Sequence, residues 1–305
     1  MTQLLVVLFL TANPLLGLAT QNAFDNSPIK NATLPASSQA AILPILSSKV
    51  EPILPLRNYN FADLETTAKS ALIYDLNAKK ILFSKDIFSR LPLASLTKLT
   101  TVIVASRKIP LEQEIIISKQ AVDTPSTIGN LNVGEKITFK NLLYLLLLES
   151  SNDAATAIAE NYPGDLIGDM NKQVKAWGLK DTFFEDPHGL SPNNKTTAWE
   201  IGSILAKALE NPEVLPYLET LEIEFPSNGG IYATHHVTNT NKLLKGDLGV
   251  FAGKTGYTEE AGECMTVAAK APNGDVLIVT VLNTLDRIAE TEKLILWARQ
   301  AYIWR

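Results

Sequence analysis

Lys98 is the only charged residue in the sixteen-residue stretch Leu91–Ser106 (LPLASLTKLTTVIVAS). A helix of that composition must be buried, and burial disfavours the ammonium form, so the lysine becomes a base that can work near neutral pH. Ser95 lies three residues earlier, and residues at i and i+3 share a helix face. Its hydroxyl can therefore reach the Lys98 amine, which is the geometry of an activated serine nucleophile. The free N–H groups of the helix N-terminus add a means of stabilising an oxyanion. The competing reading is a lysine that snorkels to the surface beside an ordinary serine cap. Ser27 and Lys30 repeat the SxxK spacing in a stretch with no such context, so the spacing alone decides nothing.

Two further segments add weight. Ser150-Ser151-Asn152 follows the leucine-rich stretch Leu142–Leu148, at a helix-to-helix corner where polar groups can project into a cleft. SxN is weak by itself, as Ser191-Pro192-Asn193 shows. Lys254-Thr255-Gly256 occurs once, in a stretch from Gly249 to Thr258 that reads as a strand. Alternate side chains there face one side, and Gly256 permits another backbone to come close. Taken together, the order and spacing of the three segments are hard to ascribe to coincidence.

The elements that must position these residues are mixed. Ala71–Leu76 and Lys80–Ser84 read as a hairpin turning around Asn77, and Cys264–Ala271 with Val276–Leu282 as a second one turning at Asn273-Gly274. Helices are expected over Leu96–Arg107, Leu142–Leu148, Asp153–Glu160, Leu166–Trp177 and Ala198–Leu209. A last helix, capped at Asp286, carries Leu294, Ile295, Ala298 and Tyr302 on one face. Strands at both ends with helices between them predict an α+β fold: an antiparallel sheet assembled from the termini, with an inserted helical region.

Composition narrows the function. The chain has 305 residues, 27 Lys plus Arg and 32 Asp plus Glu, for a net charge of −5; this lacks the basic footprint of a nucleic-acid binder. One cysteine, Cys264, and three histidines, His188, His235 and His236, show no metal-ligand spacing, so neither metal nor cofactor is expected. The histidines are read as loop and strand polar contacts, and Cys264 as a small buried strand residue. Residues 1–24 carry no charge and include the apolar run Leu4–Leu10, which reads as a signal peptide or N-terminal membrane anchor. Six prolines before Arg57 make residues 25–56 an extended linker, leaving one domain over residues 57–305.

SxxK at Ser95–Lys98, SxN at Ser150–Asn152 and KTG at Lys254–Gly256 resemble the active-site set of penicillin-recognising serine enzymes. The flanking LASLTKLTT, SSNDAATAIAE, FFEDPHGL, NTNKLL and GKTGYTEEAGECM are similar to the D-Ala-D-Ala carboxypeptidases, the low-molecular-mass penicillin-binding proteins, from about Asn60 to Arg305. The resemblance implies a β-lactamase/transpeptidase-like fold, an antiparallel sheet flanked by helices with an inserted helical subdomain. It implies that Ser95 attacks the penultimate D-Ala carbonyl and that Lys98 takes the serine proton, directly or through Ser150. Asn152 would hold the substrate amide, Lys254 would keep the field positive, and Thr255 would bind the terminal carboxylate. The N–H groups of Ser95 and Tyr257, beside Gly256, would form the oxyanion hole. The implied partners are peptidoglycan peptides ending in D-Ala-D-Ala and β-lactam antibiotics, which trap the acyl-enzyme.

The expected function is a carboxypeptidase outside the cytoplasm, in the periplasm or wall space. A DD-endopeptidase that cuts cross-links is the alternative, favoured by AENYPG at residues 159–164 and by the compact catalytic region. A class A β-lactamase needs a deacylating Glu followed four positions later by Asn, yet Glu185 is followed at that distance by Gly189. An inactive wall-binding relative fits poorly, since every catalytic side chain is present. Relatives often carry a C-terminal anchor, whereas this sequence stops at Arg305 just after the expected last helix, so a membrane tether is expected only from the N-terminal stretch.

Overall fold

Hydrophobic alternation builds the centre of the molecule. The computed structural model describes residues 55–125, 131–230 and 234–305. The apolar lead, residues 1–24, and the proline-rich stretch 25–56 except its last two residues lie outside the described residues. In chain order the principal elements are β1 (Ser70–Asp75), β2 (Lys80–Lys85), α1 (Lys98–Ala105), α2 (Phe139–Tyr144) and α3 (Asn152–Asn161). They continue with α4 (Leu166–Ala176), α5 (Ala198–Leu209), β3 (Val250–Thr258), β4 (Gly262–Lys270), β5 (Val276–Thr284) and α6 (Arg287–Ala301).

The five strands form one antiparallel sheet in the order β3-β4-β5-β1-β2. β5 joins the two halves, with Val279 opposite Ile73. Because side chains alternate across a strand, Ile73, Val267 and Val279 pack with Leu294, Ile295 and Ala298 of α6 on one face. Leu72, Ala268 and Ile278 point the other way, into the larger core shared with α1 and α5. The sheet is thus assembled from the termini around an inserted helical region, as the sequence predicts. It leaves β3 as an edge strand.

α1 is a helix against its own local preference. Its sequence KLTTVIVA has five consecutive β-branched residues, Thr100–Val104, which favour a strand in isolation. Every residue of α1 is buried, so tertiary packing rather than propensity holds the helix. Side-chain caps start the other helices: Thr138 caps α2, Ser151 α3, Asp165 α4, Thr197 α5, and Asp286 α6 by accepting from the N–H groups of Ile288 and Ala289.

Three details differ from expectation. The Leu142–Leu148 segment is not uniformly α-helical, for α2 ends at Tyr144 and Leu145–Glu149 forms a π-helical turn. Tyr302 is not on the face of α6; it pairs with Arg57 in a two-residue strand, while Leu56 pairs with Ile303. The reason lies at the helix end, where the Asn58 N–H (2.8 Å) and Arg57 Nη1 (3.1 Å) donate to Ala301 O and stop the helix. The Tyr302 hydroxyl then donates to Leu82 O at 2.7 Å. Third, two small antiparallel strand pairs pass unseen in the sequence because their strands are short and interrupted by charge: Glu114–Ile116 with Lys136–Thr138, and Glu222–Pro226 with Thr234–Thr238.

The second of these strand pairs is pinned by a buried contact. His235 Nε2 lies 2.6 Å from Glu135 Oε1, and the Ser227 hydroxyl donates to the same oxygen at 2.8 Å. Burial pushes the Glu135 carboxyl up, but its bonds to His235, Ser227 and the Asn132 N–H hold it below the ordinary value. Stability from this group is therefore present above the ordinary glutamate pKa and is lost as the pH falls through the lower folded value. His235→Ala leaves the carboxylate buried without its main partner, and should lower unfolding stability by about 3 kcal/mol in denaturant titration at neutral pH. A loss under about 0.5 kcal/mol, within the scatter of surface changes, would contradict this role.

Candidate active site

Ser95 sits in a 3-10 turn, Ala94–Thr97, that runs directly into α1. The preceding Ala94 adopts φ +47, a left-handed conformation that a non-glycine residue holds only when its surroundings impose it. Two glycines supply the constraint. Gly189, at φ +92, lies so close that a Cβ there would overlap the Ala94 carbonyl. On the opposite side a Cβ at Gly256 would stand 3.0 Å from Ser95 N and 3.2 Å from Ala94 Cβ. The serine turn is clamped between the Asp186–Ser191 loop and the edge strand β3; a Cβ is excluded at Gly189 and would press on the turn at Gly256.

Lys98 is fully buried, and its three ammonium donors meet three acceptors: Ser95 Oγ at 2.8 Å, Asn152 Oδ1 at 2.7 Å and His188 O at 2.8 Å. Burial pushes its pKa down to about 7, against the negative charge of Asp186, which pulls it up. The neutral amine has two N–H bonds and one lone pair. As placed, Asn152 Oδ1 and His188 O can only accept, so the lone pair is left for the one neighbour that can donate, the Ser95 hydroxyl. The arrangement can pass a proton from Ser95 to Lys98.

A second buried lysine stands beside the first. Lys254 Nζ donates to Ser150 Oγ at 2.8 Å and to Thr255 O at 3.0 Å. Burial, then the charges of Lys98 and Arg287, push its pKa well below the usual lysine value. Ser150 itself is left-handed, with φ +67, at the junction between the π-helical turn and α3; this is the helix-to-helix corner expected there. Its hydroxyl is bonded to Lys254 rather than to Lys98, so the contact between Lys98 and Ser95 is direct. Asn152 Nδ2 donates to Pro125 O at 2.8 Å.

Ser95, Ser150, Asn152, Thr255, Gly256 and Tyr257 line one cleft of about 560 Å³, with the Lys98 and Lys254 amines beneath its hydroxyls. Tyr257 is 58% exposed at the mouth. Four residues in or behind the cleft were not singled out in the sequence. Thr240 Oγ1 lies 2.7 Å from Thr255 Oγ1, and Arg287 Nη1 donates to Gly256 O at 3.2 Å. Asp186 accepts from the N–H groups of His188, Gly189 and Ser191 at 3.0, 2.5 and 2.6 Å. Asn194 Nδ2 ties Asp186 to Thr97 Oγ1, at 3.1 Å to each. Asp186 and Thr240 lie inside DPHGL and NTNKLL, so a signal existed for both; Arg287, in the first turn of α6, had none.

Among the described residues no group of three His, Cys, Asp or Glu side chains could hold a metal ion. Cys264 is buried in β4, where burial pushes its thiol up to about 11. His188 contributes a backbone carbonyl, and His236 meets Glu224 on the surface.

Residues 58–285 match the family model described as D-alanyl-D-alanine carboxypeptidase. The chain belongs to this family. A D-alanyl-D-alanine endopeptidase of Pseudomonas aeruginosa is 31% identical over 71% of this chain and 72% of its own length. The D-alanyl-D-alanine carboxypeptidase DacF of Bacillus subtilis is 30% identical over 79% of this chain and 64% of that protein. The crystal structure of the Streptomyces K15 DD-transpeptidase superposes with a TM-score of 0.73 at 26% identity, covering 78% of this chain and 99% of that one. The fold is therefore that of the penicillin-binding DD-peptidases, α+β with a flanked antiparallel sheet.

The charge of Asp186 gives a family member of this geometry a pH signature. Asp186→Asn removes the group that raises the Lys98 pKa, so the free base persists to lower pH. The acid limb of Ser95 acylation by a labelled penicillin, measured from about pH 5 to 9, should move to lower pH than in the wild type. An unmoved limb would show that Asp186 does not set the lysine.

Proposed function

We propose that the protein is a serine-type D-Ala-D-Ala carboxypeptidase that removes the terminal D-Ala from peptidoglycan stem peptides. The observation that carries this reading is the buried Lys98 amine, whose one hydroxyl partner among the described residues is Ser95. Ser95 Oγ attacks the penultimate D-Ala carbonyl as its proton passes to Lys98, and the resulting oxyanion meets the N–H groups of Ser95 and Tyr257. Removing one such donor in a comparable site slows catalysis about 10² to 10³-fold. The C–N bond breaks, the departing D-Ala takes up the proton, and water hydrolyses the ester with Lys98 again accepting a proton. Asn152 holds the substrate amide, Lys254 and Ser150 keep the cleft electropositive and hydrogen-bonded, Thr255 faces the terminal carboxylate, and Gly256 lets β3 approach the nucleophile. β-Lactams would acylate the same serine. No nucleic acid enters this account.

A DD-endopeptidase acting on cross-links is the second reading. It is favoured by the Pseudomonas aeruginosa relative and by a 29% identical Escherichia coli relative, both named as endopeptidases. We place the protein outside the cytoplasm, in the periplasm or wall space, with residues 1–24 as its export signal or tether. No helix among the described residues is long and apolar enough to cross a membrane.

Digestion of purified muropeptides with mass analysis tests the two readings. Pentapeptides shortened by one alanine support the carboxypeptidase, whereas conversion of cross-linked dimers to monomers supports the endopeptidase. Ser95→Ala should abolish the activity found and the covalent penicillin adduct. An adduct or product that survives the substitution would move the chemistry to another residue.

A further inference from the structure

A short chain of buried hydrogen bonds holds the serine turn from behind, and its direction can be read from end to end. Asn194 and Thr97 are both fully buried. Asn194 Oδ1 accepts from the backbone N–H groups of Glu185 (2.7 Å) and Asp186 (3.2 Å), which can only donate. That fixes which end of the amide is which, so the NH2 group faces the serine turn. Asn194 Nδ2 donates to Thr97 Oγ1 at 3.1 Å, and to Asp186 O and Oδ1 at 3.0 and 3.1 Å. The Thr97 oxygen therefore accepts from Asn194, and its own single proton is left to give. Ala94 O takes it at 2.8 Å.

Ala94 O belongs to the same planar peptide unit as the Ser95 N–H, and across a trans peptide the two point in opposite directions. Holding the carbonyl oxygen from one side thus fixes where the N–H points on the other. The hold matters because Ala94 is left-handed, at φ +47, a conformation that persists only under constraint. Glycine at position 189 leaves room for the bond, since a Cβ there would overlap Ala94 O and stand 2.9 Å from Thr97 Oγ1. Among the described residues the Ser95 N–H bonds no acceptor. None of these bonds reaches Lys98 Nζ, whose partners are Ser95 Oγ, Asn152 Oδ1 and His188 O. The chain of bonds acts on the backbone donor and not on the base.

We propose that Thr97 and Asn194 are positioning residues, a relay of fixed polarity running from Asn194 through the Thr97 hydroxyl to Ala94 O that aims the Ser95 N–H at the oxyanion formed during acylation. This rests on the reading of Ser95 as nucleophile and of its N–H as an oxyanion donor. As the Ser95 Oγ–C bond forms, the carbonyl electron pair moves onto oxygen, and the relay determines how well that charge is met. A donor held in place before the reaction stabilises the transition state more than the bound substrate, so the relay acts on the rate of acylation and little on binding.

The test uses the full chain and two probes. Labelled penicillin over a range of concentrations separates the acylation rate constant from the dissociation constant that precedes it. A D-alanine-derived peptide boronic acid, whose boron becomes tetrahedral on a serine and places a hydroxyl where the oxyanion would be, reports on the donor directly. Thr97→Val keeps the shape and removes the relay proton; it should slow acylation about ten- to a hundredfold and weaken the boronic acid in step. The dissociation constant should stay within about threefold, and the acid limb of the pH profile should not move. Thr97→Ser should restore both the rate and the boronic acid affinity. Asn194→Asp keeps the bonds from Glu185 and Asp186 but draws the Thr97 proton away from Ala94 O. On the alkaline plateau, where Lys98 is the free base, it should match Thr97→Val, and it decides alone if the valine variant does not fold. Acylation at the wild-type rate in either variant overturns the proposal, as does slowed acylation with boronic acid affinity unchanged. No acylation of the wild-type protein would instead sink the reading of the site.

Discussion

The buried amine of Lys98 is the constraint around which the molecule is organised. A fully buried ammonium is tolerated only if each N–H finds an acceptor, and three separate chain segments supply them: the serine turn, the N-terminus of α3 and the Asp186–Ser191 loop. Those segments must converge to within hydrogen-bond distance of one atom. Every larger feature serves that convergence. α1 is buried on all sides so that Lys98 has no route to water, and its β-branched run is held helical by the packing around it.

The two glycine contacts follow from the same requirement. On the proposed reading Ser95 stays open to a substrate on one side while its turn is gripped on the others, so backbone presses on backbone there. Gly189 and Gly256 do this from opposite sides. The edge position of β3 brings Gly256 to the serine, and the sheet order that places it there depends on β5 pairing with β1 from the other end of the chain. The cleft thus sits where the helical region meets the open edge of the sheet.

Much of this was legible beforehand, and what was not has identifiable causes. A lone lysine in an apolar stretch announces its burial, and hairpin turns such as Asn273-Gly274 announce their strands. The partner of Ser150 could not be read, because nothing in SxN says which of two lysines it meets; the fold gives it Lys254. The third acceptor of Lys98 is a backbone carbonyl, to which the residue type of His188 is irrelevant. Tyr302 fitted a helical face by periodicity, but Arg57 and Asn58 end the helix one residue earlier from far away in sequence. Arg287 reaches Gly256 across 31 residues and left no local pattern. In each case the missing information is tertiary.

The most direct test is the titration of Lys98 itself, followed by NMR on protein carrying isotope-labelled lysine and assigned with a Lys98→Arg variant. The account predicts that the Lys98 amine loses its proton at a pH of about 7. A midpoint close to the ordinary lysine value of 10.5 would contradict it, because the amine would then be a permanent cation at neutral pH and could not take the proton of Ser95.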